Sequence, residues 1–486
     1  MEITKKSDFT VDQVKGSKFK LFFNVLGVRS RKLICKMRIR FYTATALVKA
    51  ISLIGKILNK NLSTLPGQIA YTVYPDILEI LSKKCSKIIL VTGTNGKTTT
   101  NNLIYGIMTS AGYNVLANLK GANLITGIIS AFLNAQENHY DIGTFEVDEA
   151  SFAKIVKYIQ PNCIVVTNFS RDQLDRYGEL EKTFEYINGA LSTLDDAILV
   201  LNGDDPLVAK MGSSNNSKVI YYGIVQNDFS KSEGSVIESV FCPYCNGRLR
   251  YFYYNAGQSG RFLCEHCGFK NPDYDYFISN VSYGAFFKFT FNICGHAYND
   301  IKFAYDGFYN LYNVCAALAL ANEVGVNMKT ATEAVENFKY RLGRMERIVL
   351  GNKTVQLILV KNPVGYTEVL NSISNVAAAK VLLLVLNDNA ADGRDVSWIW
   401  DVDFDILNHI QNIIKIYCSG RRYMDLAVRL KYSGFEMAKV EATSNVSYAL
   451  DCALSEDVPI VYVLPTYTAL FGVRDKILCI NGEKQA

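Results

Sequence analysis

Histidine is scarce, at 4 residues in 486, and none of the four (His139, His266, His296, His409) falls where a predicted strand ends. The chain therefore offers no Ser-His-Asp or Cys-His catalytic set of its own. Long apolar runs are missing too. The nearest approach, Phe41 to Leu58, is broken by Lys49 and Lys56, whereas a spanning helix needs about 20 uninterrupted apolar residues. An amphipathic helix suits that stretch better, either packed on the next domain or lying at an anionic membrane surface. The N-terminus lacks the charged-apolar-cleavage order of a secretory signal, so the expectation is a cytoplasmic chain with, at most, peripheral contact at the inner face of the membrane. A net charge of +5 is small for this length and gives no reason to expect nucleic acid. Basic character is concentrated in residues 1–40, with eleven Lys/Arg against three acidic residues. Neither internal repeats nor low-complexity tracts occur.

What is present points to a multidomain α/β protein. A chain of 486 residues exceeds one hydrophobic core. From about residue 60, short apolar runs alternate with helical periodicity: Lys87–Val91 then a helix from Thr98, Tyr140–Glu146 then a helix from Ala150, Cys163–Thr167, and Ala197–Leu201. That pattern predicts a parallel sheet covered on both faces, with ligand sites at the C-terminal ends of its strands. Asp306–Val324 is predicted helical. After a break near residue 347 a second α/β series follows, with strands at 357–360, 381–386, 413–418 and 460–464. The expected organisation is a basic N-terminal extension and helix (1–60), a central domain (61–347) interrupted by an insert at about 236–276, and a C-terminal α/β, Rossmann-like domain (348–486).

Lys87–Val91 runs into Thr92-Gly93-Thr94-Asn95-Gly96-Lys97-Thr98-Thr99-Thr100. A strand that stops on a glycine turn and restarts as a helix cradles phosphates: backbone N–H groups and the helix N-terminus hold the oxygens, Lys97 adds a charge, and the Thr98 hydroxyl suits Mg²⁺. The usual pattern would place a glycine at 91, where this chain has Val91, so Gly93–Thr98 carry the signal. Glu146, directly after a strand, is the expected second Mg²⁺ ligand; Asp148 and Glu149 fit helix N-terminal acids better.

Cys242-Pro-Tyr-Cys245 and Cys264-Glu-His-Cys267 form a paired CxxC array with 18 residues between the pairs, inside the window for a tetrahedral zinc site. Four thiolates leave no open coordination position, which predicts structural Zn²⁺. The remaining eight cysteines, Cys163 and Cys315 among them, sit mostly in apolar segments and are expected in cores.

Further motifs follow in order: Thr167-Asn168…Asp172-Gln173…Asp175…Gly178, Asn202-Gly203-Asp204-Asp205-Pro206, Gly307-Phe-Tyr-Asn310-Leu-Tyr-Asn313, and Gly343-Arg344-Met345-Glu346. Together they resemble the Mur ligase superfamily, which activates a carboxylate with ATP and captures the acyl phosphate with an amine. The resemblance implies that Gly93, Thr94, Asn95, Gly96, Lys97, Thr98 and Thr99 bind ATP, that Thr98 and Glu146 hold Mg²⁺, that Asn310 and Asn313 lie near the adenine, and that Arg344 reaches the nucleotide. Gln173 stands where amino-acid-adding members have a histidine serving a second metal, which puts that metal in doubt.

Within the superfamily, Lys361–Tyr366, Asn387–Asp401 and Leu464–Thr468, with Leu65–Ala70 and the cysteine insert, are similar to the MurT family, the ligase-like subunits of lipid II isoglutaminyl synthase. This implies amidation of the α-carboxylate of D-glutamate in the lipid II stem peptide to D-isoglutamine, with ammonia from a GatD-type glutaminase partner. It also implies that an aspartate of this chain orients the partner's catalytic histidine. Asp395 is the first choice and Asp392, in an Asp-Gly turn, the second; Trp398 and Trp400 would flank that contact. The alternative is a stand-alone ligase that adds an amino acid, as folylpolyglutamate synthetase does.

Overall fold

The computed structural model describes residues 65–119, 121–171, 180–194, 196–213, 217–233, 239–284, 286–293, 295–339 and 345–482. The expected basic extension and amphipathic helix (1–60), Gln173 and Arg344 lie outside the described residues.

Residues 65–81 and 126–134 belong to one compact unit. Its helices Leu65–Val73 and Ile125–Leu133 meet at Gly67, whose N–H donates to Ser130 Oγ at 2.9 Å. A Cβ there would lie 1.8 Å from the Thr126 carbonyl oxygen, so only glycine permits the approach.

The second unit holds two large sheets. In the central one, β1 (Cys85–Thr92), β2 (Val115–Ala117), β3 (Tyr140–Glu146), β4 (Cys163–Val166), β5 (Ile198–Asn202) and β6 (Lys218–Ile224) are all parallel. The insert contributes a separate hairpin, β7 (Leu249–Ala256) and β8 (Ser259–Cys264). The chain then returns to the sheet as β9 (Tyr276–Tyr283), β10 (Phe287–Ile293) and β11 (His296–Phe303), giving the order β11-β10-β9-β6-β5-β4-β1-β3-β2. β1 and β4 are apolar and buried along their shared lengths, as expected of strands covered on both faces. The expected parallel sheet continues through β9, which pairs with β6 in parallel, and is extended by the antiparallel strands β10 and β11. The signal for that extension was the period-two alternation Phe287-Lys-Phe-Thr-Phe-Asn-Ile293, the pattern of a strand with one wet face. Helix Asn310–Glu323 is apolar almost all round, is buried from Asn310 to Ala321, and packs beside helix Lys97–Ser110.

The C-terminal sheet is formed by β12 (Glu346–Leu350), β13 (Lys353–Leu357), β14 (Lys380–Val385), β15 (Ile413–Ser419), β16 (Val440–Ala442) and β17 (Ile460–Pro465), in the order β12-β13-β17-β14-β15-β16. All neighbours are parallel except the β12–β13 hairpin. The strand expected at 357–360 runs instead from Lys353 to Leu357; beyond it, Ile358 and Val360 still donate to the carbonyls of Val463 and Pro465. Among the described residues no helix is long and apolar enough to cross a membrane.

Cys85, Cys163, Cys315 and Cys418 are buried as expected of core thiols, whereas Cys452 is half-buried and Cys479 exposed.

Candidate active site

The phosphate loop sits at the C-terminal end of β1, with Gly93 and Gly96 both at positive φ (115° and 85°). Each is fixed by space as well. A Cβ on Gly93 would stand 2.4 Å from Thr167 Oγ1, and one on Gly96 would stand 2.1 Å from Asn313 Oδ1. The loop is tied to the end of β4: Thr94 N–H donates to the Asn168 carbonyl (2.8 Å), and Asn95 N–H to Asn168 Oδ1 (3.0 Å). Thr94 Oγ1 exchanges hydrogen bonds with the backbone of Ser170, and Asn95 Nδ2 donates to Ser170 Oγ. The loop is thus preformed, which removes most of the ordering cost of receiving an anion.

Lys97 and Thr98 open the helix that follows. Lys97 Nζ donates to the carbonyls of Gly93 (2.5 Å) and Thr94 (3.0 Å) and to both Glu149 oxygens (3.1 and 3.2 Å). Glu149 therefore does more than complement a helix dipole: it pairs the buried loop lysine. Asp148 behaves as expected, capping the helix Glu149–Ile155 through the Ala150 N–H. Thr98 Oγ1 donates to Glu146 Oε2 at 2.5 Å, and Asn123 Nδ2 holds the other Glu146 oxygen at 3.1 Å. Asn118 brackets the Glu146 backbone, donating to its carbonyl and accepting from its N–H. A hydroxyl beside a buried carboxylate is a hard-oxygen donor set that fits Mg²⁺. Neither Glu149 as the lysine's partner nor Asn118 and Asn123 as supports of Glu146 was foreseen. The pairings depend on which strand lies beside β1.

A pocket of about 1050 Å³, counting its open mouth, extends from Asn95, Gly96 and Thr99 past Asn168 and Asn202 to the β7–β8 turn. Asn310 and Asn313 line it, and Asn313 Nδ2 donates to Asn310 Oδ1 at 3.2 Å. Its far wall comes from the C-terminal segment Ile358–Asn362 and the helix that follows. Asn362 caps that helix through the Gly365 N–H (2.8 Å), Pro363 occupies its first turn, and Asn362 Nδ2 donates to Asn95 Oδ1 at 2.9 Å. Asn-Pro at a helix start is a readable capping signature; its grip on the phosphate loop is not readable. The size suits a nucleotide-scale ligand.

Asn202-Gly-Asp-Asp-Pro206 proves largely architectural. Asp205 caps the helix Pro206–Gly212 by accepting from Leu207 and Val208 N–H, and burial raises its carboxyl pKa. Asp204 is pushed up to about 6 by burial, although the Tyr274 and Tyr312 hydroxyls donate to it.

The four cysteine sulfurs lie within 4.8 Å of one another, with Cys242–Cys267 and Cys245–Cys264 at 3.5 Å. A tetrahedron built on ~2.3 Å Zn–S bonds has edges of about 3.8 Å, so the array fits a zinc ion. Cys264 is drawn down to about 6 by the Cys267 N–H, while burial pushes Cys242 up to about 12; a cation among the four sulfurs would hold them all as thiolates.

In the C-terminal sheet, the two candidate aspartates follow β14. Asp392 is buried: its Oδ1 accepts the Thr468 N–H at 2.7 Å and its Oδ2 the Thr468 hydroxyl at 2.5 Å. Asp395 is exposed and accepts the Ser397 N–H at 2.8 Å; hydrogen bonds from the Ser397 side chain and backbone hold its carboxyl below the ordinary aspartate range. Trp398 packs on Tyr366 at the core, whereas Trp400 is half-exposed against Tyr432.

Comparison with known proteins agrees with this architecture. Residues 91–241 match the Mur ligase middle domain, and residues 359–470 match the MurT ligase C-terminal domain. The chain is similar to the lipid II isoglutaminyl synthase (glutamine-hydrolyzing) subunit MurT of Streptococcus pneumoniae, at 37% identity over 85% of this chain and 92% of that protein. In fold it is similar to a pseudomurein peptide ligase type C from Methanothermus fervidus (TM-score 0.63, 23% identity, 83% of this chain and 80% of that one). It also resembles the MurF ligase from Thermotoga maritima in complex with ADP (TM-score 0.60, 15% identity, 85% and 84%). With that identity along nearly the whole relative and a match in each half, the chain belongs to the MurT family of ATP-dependent Mur ligase-type enzymes.

Proposed function

We propose that this chain is the ligase subunit of a two-protein amidotransferase. It phosphorylates the α-carboxylate of D-glutamate in the lipid II stem peptide with ATP and converts the acyl phosphate to D-isoglutamine with ammonia from a GatD-type glutaminase. The observation that carries this reading is the preformed phosphate loop opening into a nucleotide-sized pocket, in a chain sharing 37% identity with a subunit of that name.

The loop N–H groups from Gly93 to Thr99 and the positive end of the helix Lys97–Ser110 receive the ATP phosphates. Lys97, held by Glu149, sets a positive charge at the loop and neutralises charge that grows during phosphoryl transfer. Thr98 and Glu146 would hold Mg²⁺, which when bound screens the phosphate oxygens. Asn310 and Asn313 bound the base side of the pocket, and Arg344 is assigned to the nucleotide on the motif alone. Zn²⁺ on Cys242, Cys245, Cys264 and Cys267 has a structural role, holding the insert's knuckles together.

Ammonia needs no general base once the acyl phosphate exists, which agrees with the shortage of histidine. A glutaminase cysteine, by contrast, needs an acid behind its histidine. Asp395 is exposed and favours the ionised form, so it suits that task in trans; Asp392 is consumed by Thr468. The test is to purify the chain with and without its glutaminase partner and follow ATP-dependent amidation of lipid II by mass spectrometry. The two-protein complex should use glutamine or ammonium, and the lone chain ammonium only. Glutamine-driven amidation by the lone chain would overturn the reading.

A further inference from the structure

Along the β7–β8 hairpin and the short segments that flank it, successive residues turn to opposite faces. The inner face is accounted for: Cys242, Leu249, Phe262 and Cys264 are buried and pack with Ala209 of the helix Pro206–Gly212. The outer face has no such cover. Phe241 stands directly opposite Arg248, Arg250 opposite Leu263, and Leu263 opposite Lys270, and Arg248 and Arg250 are two positions apart, so these five side chains share one face. Phe252 joins them, because the Arg250 guanidinium lies over its ring at 5.2 Å. The hairpin is held at its tip, where the Gly257 N–H donates to Glu368 Oε1 at 3.1 Å and Gln258 Nε2 donates to the Phe169 carbonyl.

Phe241 is 60% exposed and Phe252 51%, and Arg248, Arg250 and Lys270 are exposed around them. Two phenyl rings beside the half-buried Leu263 on one face of a small hairpin make a patch, unlike apolar residues scattered singly over a surface. Its charge is one-sided. Three cations stand against one neighbouring carboxylate, Glu265, which Arg250 pairs at 3.0 Å. Exposed rings ringed by cations complement an anionic bilayer: the rings enter the boundary between headgroups and acyl chains, the cations meet lipid phosphates, and the arginine stems add apolar area. Single-stranded nucleic acid would satisfy the cations too, but it stacks on open ring faces, and Arg250 already covers one face of Phe252.

We propose that the outer face of the cysteine hairpin docks this chain onto an anionic phospholipid surface, with Phe241 and Phe252 entering the headgroup region and Arg248, Arg250 and Lys270 meeting the phosphates. The cysteine knuckles then hold a membrane-contact face in shape as well as the insert itself. The choice of a bilayer over other anionic surfaces rests on the reading of lipid II as the substrate; the exposed face does not.

The test is co-sedimentation of the full chain with vesicles free of lipid II, made of phosphatidylcholine alone or of phosphatidylcholine with phosphatidylglycerol. Wild type should bind the anionic vesicles about tenfold more tightly than the neutral ones and lose that preference at high salt. Phe241→Ser with Phe252→Ser, and separately Arg248→Gln with Arg250→Gln, should each weaken binding to the anionic vesicles about tenfold. Thermal unfolding midpoints and ATP affinity should hold in both double variants, since all four side chains are exposed. Wild type that does not bind anionic vesicles would overturn the proposal. So would double variants that bind as wild type does, which would assign the contact to another part of the chain, the basic residues 1–40 among them. Binding of single-stranded nucleic acid that the arginine variant loses, without vesicle binding, would overturn it as well. If lipid II is not amidated while vesicle binding and its loss in the variants hold, the substrate reading falls and the membrane face stands.

Discussion

Two parallel strands, β3 and β14, lead into pairs of acids spaced alike, Glu146 with Glu149 and Asp392 with Asp395, and the two pairs have different fates. After β3 both acids are buried against the phosphate loop, one on a hydroxyl and one on an ammonium. After β14 one acid is locked to the chain's own Thr468, and the other stands in solvent, held by the side chain and backbone of Ser397. Spacing after a strand marks where an acid is delivered. The groups that meet it there decide whether it serves the site, the fold or a second protein.

The comparison is broken most severely at the first pair. Lys97→Met and Glu146→Gln should each lower amidation about 10³-fold, equally with ammonium and with glutamine, because both act on the phosphates. Steady-state assays with the two nitrogen sources check this, and a variant that loses only glutamine-driven turnover would erase the distinction between the loops. Asp395→Asn should give the complementary result: glutamine-driven amidation falls about 10²-fold while ammonium-driven amidation stays within about twofold. Asp392→Asn should behave as a fold defect, losing about 1.5–3 kcal/mol in denaturant unfolding, with both nitrogen sources affected together. A glutamine-specific loss at Asp392 would exchange the roles of the two aspartates.

The premise that surroundings set an acid's role is sharpened by Asp204, buried with two tyrosine hydroxyls and held up to about 6. The folded chain binds this proton more tightly than the unfolded one. Its contribution to stability therefore falls as pH rises from about 4 to about 6 and is flat above, a change of at most about 3 kcal/mol. Asp204→Asn should remove that falling segment when unfolding curves of the two proteins are compared across this range.

Much of the fold was legible from periodicity, since fully buried parallel strands are continuous apolar runs, and Lys87–Val91, Cys163–Thr167 and Ile460–Leu464 read as such. Less legible was the return of the chain as β9, β10 and β11, where a one-sided sheet replaces the buried one and the period changes to two. The strand placed at 357–360 was displaced because Lys353–Leu357 pairs on both sides, with β12 and β17, a matter of neighbours and not of local propensity.

The division follows sequence distance. Gly93–Thr98 and the paired CxxC array are contiguous or nearly so; the backbone geometry that lets them face one ion or one phosphate is set within a few residues, and the sequence by itself determined them. The partners of the chemistry are remote: Lys97 meets Glu149 across 52 positions, Asp392 meets Thr468 across 76, and Gln258 meets Phe169 across 89. Such pairs are decided by which strands lie side by side and which loop is pressed onto which. Only the tertiary structure decided that Asp395 stays exposed while Asp392 does not, and that the tip of the cysteine-bearing hairpin reaches the pocket beside the Gly93–Thr98 loop.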